Sequence, residues 1–363
     1  MKEAIILVPG FGSECQDFYL DNFLTPGLLT LLEDVEVTLD PQAVKIPGQA
    51  GKRFQCQVED EKKTLDIYEV YWDDLVDHLS AKNARQKLAR GLNLFIYMLV
   101  SGWKIIRISP IFFIQSCVIL VLVAAWYYGI VILVLASLAE QNTLQSIEFL
   151  QRGLNWMTAW ATEGWGWQLW LLISALLAIL PTSISLIIDL IDFFVRYLQN
   201  ESSRGRPPRR AVLRTRLKQA VDNVLAEPSY DRITIVAHSI GCLIATDFLA
   251  DYQPRSDRAI CLVTWGSALA SSTSVSTWVS SEIKKCLDNP LIEQWDDFYS
   301  HQDWFCSQVP LPNGTVAPKL ISREASFRVS LLKQLSGESH GEYFYDPKVL
   351  RHLVLGATLP VVS

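Results

Sequence analysis

The chain has 363 residues, half of them apolar and only 19% charged, with a formal net charge of −6. Its mean hydropathy is +0.20, whereas an ordinary soluble domain carries about 25% charged residues, so part of this sequence is not built for water. The acidic balance excludes nucleic acid as an expected partner.

In chain order, Ala4 to Val8 is rich in Ile, Leu and Val, stops at Pro9-Gly10, and predicts a buried parallel strand. It is too short for a signal-peptide core and has Glu3 where a basic flank is expected. A helix is predicted from about Asp17 to Leu32, then a loop holding Pro41, Pro47, Gly48 and Gly51. Leu65 to Tyr71 alternates and is rich in aromatics, so it reads as a second strand. Strand-like sequence returns only at Arg232 to Ala237, followed by a helix over Ser239 to Tyr252 and a strand over Ala259 to Trp265. A Ser/Thr-rich loop is predicted over 267–281, then a short helix, a strand around Trp295 to Tyr299, and a closing helix from Pro347 to Leu355. Strands alternating with helices of this length predict an α/β protein whose mostly parallel sheet is covered on both faces.

The excess of apolar residues lies in the middle. Two runs exceed the roughly 18–20 uncharged residues that cross a hydrocarbon core. They predict transmembrane helices over about 110–139 and 167–190, within an insert over 81–210 that divides a domain made of residues 1–80 and 211–363. Lys82, Arg85, Lys87, Arg90, Lys104 and Arg107 precede the first run. Arg196, Arg204, Arg206, Arg209, Arg210, Arg214, Arg216 and Lys218 follow the second. Basic flanks at both ends predict a cytoplasmic position for the α/β domain. The connection holds Trp156, Trp160, Trp165, Trp167 and Trp170, residues suited to a membrane–water interface or to packing on one another. Asp189 and Asp192 read as the point where the second run re-enters water; a role facing a partner helix is the alternative. The expected partners are therefore a lipid bilayer and a second copy through the hairpin.

Seven cysteines, at positions 15, 56, 117, 242, 261, 286 and 306, stand singly. An odd count with no Cys-x-x-Cys pair indicates neither a metal site nor a disulfide framework.

Ala237-His238-Ser239-Ile240-Gly241 ends a predicted strand and opens a predicted helix. That turn is so sharp that its flanking positions must be small, and it lifts a serine hydroxyl to a helix N-terminus. A serine needs a base to take its proton, and the base needs an acid to orient it. Asp303 lies just past a predicted strand end, with Asp296 and Asp297 as rivals inside the strand. His340 lies in a predicted loop before the last helix. Of the other histidines, His352 reads as structural, while His78, His238 and His301 come too early in the chain or too close to another member. Stabilising an oxyanion takes backbone N–H donors. Ile240 is expected to give one, and Phe11 in Pro9-Gly10-Phe11-Gly12-Ser13 the other, with Gly12 second. That loop lacks the glycine and lysine pattern of a phosphate cradle.

Val8-Pro9-Gly10-Phe11-Gly12, Ala237-His238-Ser239-Ile240-Gly241, Asp303 and His340 together resemble the α/β-hydrolase superfamily, in particular its lipase and esterase branch. The resemblance covers residues 1–80 and 211–363 but not the insert, and Pro9 stands where many members have His. It implies an α/β-hydrolase fold, a Ser-His-Asp triad, no cofactor and a carboxylic ester substrate, with lipid favoured by the expected membrane insert. A thioester substrate, a non-catalytic membrane scaffold on the same frame, and a membrane effector based on the hairpin are the other readings.

Overall fold

The computed structural model describes residues 1–12, 15–31, 35–58, 61–78, 184–200, 207–253, 258–312, 314–315 and 317–356, with isolated positions between 79 and 183. Within them the protein is α/β. Strands β1 (Lys2–Val8), β2 (Val35–Ile46), β3 (Gln49–Val58), β4 (Glu61–Glu69), β5 (Arg232–His238), β6 (Ile260–Trp265), β7 (Ile292–Tyr299) and β8 (Leu320–Glu324) form one sheet. Its order is β2-β3-β4-β1-β5-β6-β7-β8. From β4 through β8 neighbours run parallel; β2 and β3 add an antiparallel margin.

The greasy strands sit in the centre because both of their faces are covered. Ala4, Ile6 and Val8 of β1 join one core cluster, and Ile5 and Leu7 join another on the opposite face. The first cluster takes in α2 (Ile184–Leu198), α3 (Arg209–Ala226), α4 (Ile240–Ala250), α5 (Leu269–Val275) and α6 (Trp278–Asp288). The second is closed by α1 (Thr25–Leu29), with the π-helical turn Leu20–Leu24 before it, and by α8 (Pro347–Leu355). The short helix α7 (Leu331–Ser336) lies between β8 and α8.

Three sequence expectations are corrected. The predicted loop with Pro41, Pro47, Gly48 and Gly51 is the β2–β3 hairpin. The Ser/Thr-rich segment contains helix α5, because its hydroxyls bond back to carbonyls of the same turn: Ser271 and Ser272 to Ala268, Thr273 to Ala270, Ser274 to Ser271. The predicted helix from Asp17 is shorter and begins with the π-helical turn. Strand β8 and helix α3 were not expected.

Of the expected membrane spans, 110–139 and most of 167–190 lie outside the described residues. Among the described residues no helix is long and apolar enough to cross a membrane. The end of the second run belongs to α2, which continues to Leu198 and buries Ile188, Phe193, Tyr197 and Leu198 against the protein. Asp189, expected at a re-entry into water, is buried within 3.6 Å of His78 Nδ1, while Asp192 pairs with Arg196. Of the basic residues after this run, Arg210 pairs with the buried Asp247, while Arg214 with Asp251 and Arg216 with Asp74 form partly exposed pairs.

Candidate active site

In a parallel sheet the carboxyl ends of the strands meet along one edge, which is where α/β proteins place ligands. Here that edge gathers Pro9-Gly10-Phe11 after β1, Ser239 after β5, Gly266 after β6 and Asp303 after β7.

Ser239 is the only non-glycine residue of the described sheet ends with a left-handed backbone, at φ 58° and ψ −125°. Such a conformation costs on the order of 1–3 kcal/mol and persists only where the surroundings enforce it. They do so here. Its N–H donates to the Trp265 carbonyl (3.0 Å), and its own carbonyl accepts from Cys242 N–H (3.1 Å). A Cβ on Gly241 would collide with the carbonyl oxygens of Val8 and Pro9, so the second residue after the serine must be glycine. Ile240 is the first residue of α4, and its N–H is among the amides a helix start leaves without an intrahelical partner.

The loop after β1 is held against this turn. A Cβ on Gly10 would lie 3.0 Å from Ser239 Cβ, so the peptide joining Gly10 to Phe11 passes beside the serine. Tyr19 Oη donates to the Phe11 carbonyl (2.8 Å), and Trp72 Nε1 to the Pro9 carbonyl (3.2 Å). The Phe11 ring sits 6.1 Å from the rings of both Trp72 and Phe193. Gly12 has a φ of 94°, and a Cβ there would lie 3.9 Å from Leu186 Cδ1.

Asp303 and His340, 37 residues apart, are in direct contact. Their Oδ2 and Nδ1 atoms are 2.8 Å apart. A carboxylate only accepts, so Nδ1 carries the proton and Nε2 is left with its lone pair. Asp303 also accepts from the Phe305 N–H (3.1 Å) and from Tyr343 Oη (3.1 Å). Burial works against its charge, but the imidazole and the Phe305 N–H outweigh it and hold the carboxyl below the usual carboxylate range. Contrary to the expected loop, His340 stands in a 3-10 helix, Glu338–Phe344, anchored by its own N–H on the Gly337 carbonyl.

His340 is packed against a residue the sequence reading set aside. His238 is buried, and its ring centroid lies 4.6 Å from that of His340. Its Nε2 donates to the His340 carbonyl (2.8 Å), leaving Nδ1 buried without a hydrogen-bond partner. Burial, reinforced by His340, pushes its pKa down to about 3, so the ring is a neutral strut. Gly266 closes the group: at φ 53°, a Cβ there would stand 3.1 Å from both Asp303 Oδ2 and His340 Cε1. Cys306, half-buried, donates to the Gly266 carbonyl (2.7 Å) and places its sulfur 3.7 Å from His340 Nδ1. Burial and the nearby Asp303 charge push that thiol far above its usual value. Among the described residues, Asp303, Cys306 and His340 form the group whose donor atoms converge as metal ligands would, all within 4.8 Å of one another.

The rival residues have other work. Asp296 binds Arg323 (3.2 Å) and His352 (3.1 Å). Asp297 is fully buried, accepts from Thr264 Oγ1 and the Val309 N–H, and burial lifts its pKa to about 6. His78 lies between Asp73 and Asp189, and His301 is exposed beside the Tyr299 ring. Tyr19, Trp72, Tyr343 and Gly266 were missed because nothing in their sequence neighbourhood marks them; they act through contacts made across the fold. Comparison with protein-family models, with curated proteins and with solved structures gives no match.

Proposed function

We propose that the protein is a serine ester hydrolase of the α/β-hydrolase type, with Ser239 as nucleophile, His340 as general base and acid, and Asp303 as the carboxylate that orients and compensates the imidazole. The Asp303–His340 hydrogen bond beside a strained serine turn carries this reading. His340 Nε2 takes the Ser239 Oγ proton as Oγ attacks the ester carbonyl. The oxyanion is met by the N–H groups of Ile240 and Phe11. The intermediate expels the alcohol, which leaves with the proton from Nε2. Water, deprotonated in turn by Nε2, then releases the acid and restores the serine. The chemistry asks for no cofactor.

A lipid ester is the substrate class this reading favours, with the insert holding the α/β domain on the cytoplasmic face of a bilayer. Support comes from the two long apolar runs and from exposed Leu92, Ile96, Val121 and Trp156 at described positions of the insert. Confinement to the bilayer would raise the effective concentration of an ester that lives there.

The test is hydrolysis of a long-chain glycerolipid ester in vesicles by the full chain, against a short soluble ester. Wild type should cleave the vesicle substrate faster, and Ser239→Ala should abolish cleavage of both. Full activity in Ser239→Ala sinks the proposal; a preference for the soluble ester sinks its lipid part alone.

A further inference from the structure

Cys306 has no place in the hydrolytic chemistry, yet its sulfur faces the one imidazole nitrogen that the reaction needs to keep protonated. We infer that Asp303, Cys306 and His340 form an inhibitory site for a thiophilic divalent cation such as zinc, which switches the base off by changing its tautomer. The inhibition rests on the proposed function; the binding site itself does not.

Three arguments meet here. The first is distance. Tetrahedral zinc binds sulfur at about 2.3 Å and nitrogen or oxygen at about 2.0–2.2 Å, which places ligand atoms about 3.3–3.6 Å apart. The Cys306 Sγ to His340 Nδ1 separation is 3.7 Å and already fits. The Asp303 Oδ2 to His340 Nδ1 separation is 2.8 Å and must open by about half an ångström. Gly266 makes room, since a side chain there would press on both Asp303 Oδ2 and His340 Cε1.

The second is charge. A carboxylate, a thiolate and a neutral imidazole around a doubly charged ion sum to zero, which suits a site this far from water. Cys306 is only half-buried, which gives an ion a way in. The thiol proton, now directed at the Gly266 carbonyl, is released on binding.

The third is consequence. With the ion on Nδ1, the neutral ring must carry its one proton on Nε2. Nε2 then donates where it has to accept, and Ser239 loses its base. Asp303 is drawn from orienting the ring to binding the ion. Occupation and catalysis exclude each other without any movement of the backbone.

The experiment uses cobalt as a spectroscopic probe and zinc as inhibitor on the full chain. Wild type should show a thiolate-to-cobalt charge-transfer band that zinc displaces, and the band should be absent in Cys306→Ser and Cys306→Ala. It should persist in Ser239→Ala, and in Cys15→Ser, which removes an exposed thiol elsewhere. Zinc should inhibit hydrolysis reversibly, chelator restoring the rate. The zinc concentration for half inhibition should rise on the order of 100-fold in Cys306→Ser, each variant being compared with its own zinc-free rate. A cobalt band that survives in both Cys306 variants overturns the site, as does zinc inhibition unchanged in both. A Cys306-dependent band in a protein without hydrolysis supports the site while the hydrolase reading falls. Hydrolysis that neither metal affects overturns the site and leaves the hydrolase reading standing.

Discussion

Two of the His–Asp pairs among the described residues, His340–Asp303 and His352–Asp296, are of nearly equal length but stand in different surroundings. His340 and Asp303 meet at 2.8 Å beyond the end of β7; His352 and Asp296 meet at 3.1 Å on the strand itself. Both carboxylates are buried, and both are held below the usual carboxylate range, burial opposing the charge and the paired histidine outweighing it. The compensation differs. Asp296 also has Arg323 and Gln294 as partners, so its histidine is one brace among several. Asp303 has no arginine or lysine partner among the described residues; it is met by neutral donors, the Tyr343 hydroxyl and the Phe305 N–H, and by the His340 ring. The position differs too. His340 stands at the carboxyl edge with its ring against His238, next to the strained serine, whereas His352 is carried by α8 with its ring edge-on to Phe298. In the proposed function the first pair supplies the base and the carboxylate that orients it. The second is a buried brace.

This contrast can be broken most forcefully at the acids. Asp303→Asn should lower the hydrolytic kcat by about 10⁴-fold, because the amide favours the wrong tautomer of His340. Asp296→Asn should leave kcat within a few fold and act on stability instead. Chemical denaturation and steady-state rates on the same preparations separate the two outcomes; equal kinetic losses would erase the distinction. At the bases, His352→Ala should cost about 1–3 kcal/mol of folding stability, since Arg323 still answers Asp296. The same change at His340 should abolish turnover and cost at least as much stability, since among the described residues no second cation answers the buried Asp303.

A finer probe is Tyr343→Phe, which removes one donor from Asp303. It should reduce kcat by about fivefold, the worth of about 1 kcal/mol, without unfolding the site. The two pairs should differ least in acid. Each carboxyl titrates lower in the folded protein than in the unfolded chain, so the stability it contributes is complete above the unfolded value of about 3.9 and is lost as pH falls through the folded value. The stability costs of Asp303→Asn and Asp296→Asn should both shrink toward low pH. A cost that grows in acid contradicts the assigned direction.

Much of this was legible in the sequence, for reasons that particular elements make plain. Ala4 to Val8 and Arg232 to Ala237 are central strands with both faces buried, so their composition alone announces them. Helix α8 was legible to the residue because Asp346 caps it and Pro347 opens it. The β2–β3 hairpin was not, because its prolines and glycines carry the vocabulary of a loop. They are tolerated because β2 is the outer strand of the sheet, where a missing N–H leaves no partner unsatisfied, and because the register slips between Asp40 and Val44, around Pro41. Gly48 takes the positive φ, 75°, that the tight turn after Pro47 needs. Helix α3 was hidden by its charge. Its basic residues read as a membrane flank, while Leu213, Leu217, Val221 and Val224 recur at helical spacing and are buried.

At the candidate site, the contact of Asp303 with His340 could be anticipated along the chain, and so could the small residue Gly241 beside Ser239. The supports could not. His238 reaches His340 across 102 residues, and Tyr343 reaches Asp303 across 40, so only the folded sheet brings them together. Sequence periodicity reports which face of an element is buried and not which distant side chain it meets.

The central claim is that His340, and not His352, is the base that activates Ser239. Its most direct test is the rate at which a fluorophosphonate modifies the protein, with the adduct mapped by mass spectrometry, in wild type, His340→Ala and His352→Ala. The account predicts an adduct on Ser239 at similar rates in wild type and His352→Ala, and a loss of at least about 100-fold in His340→Ala. Modification of another residue, or labelling of Ser239 that ignores the loss of His340, contradicts it.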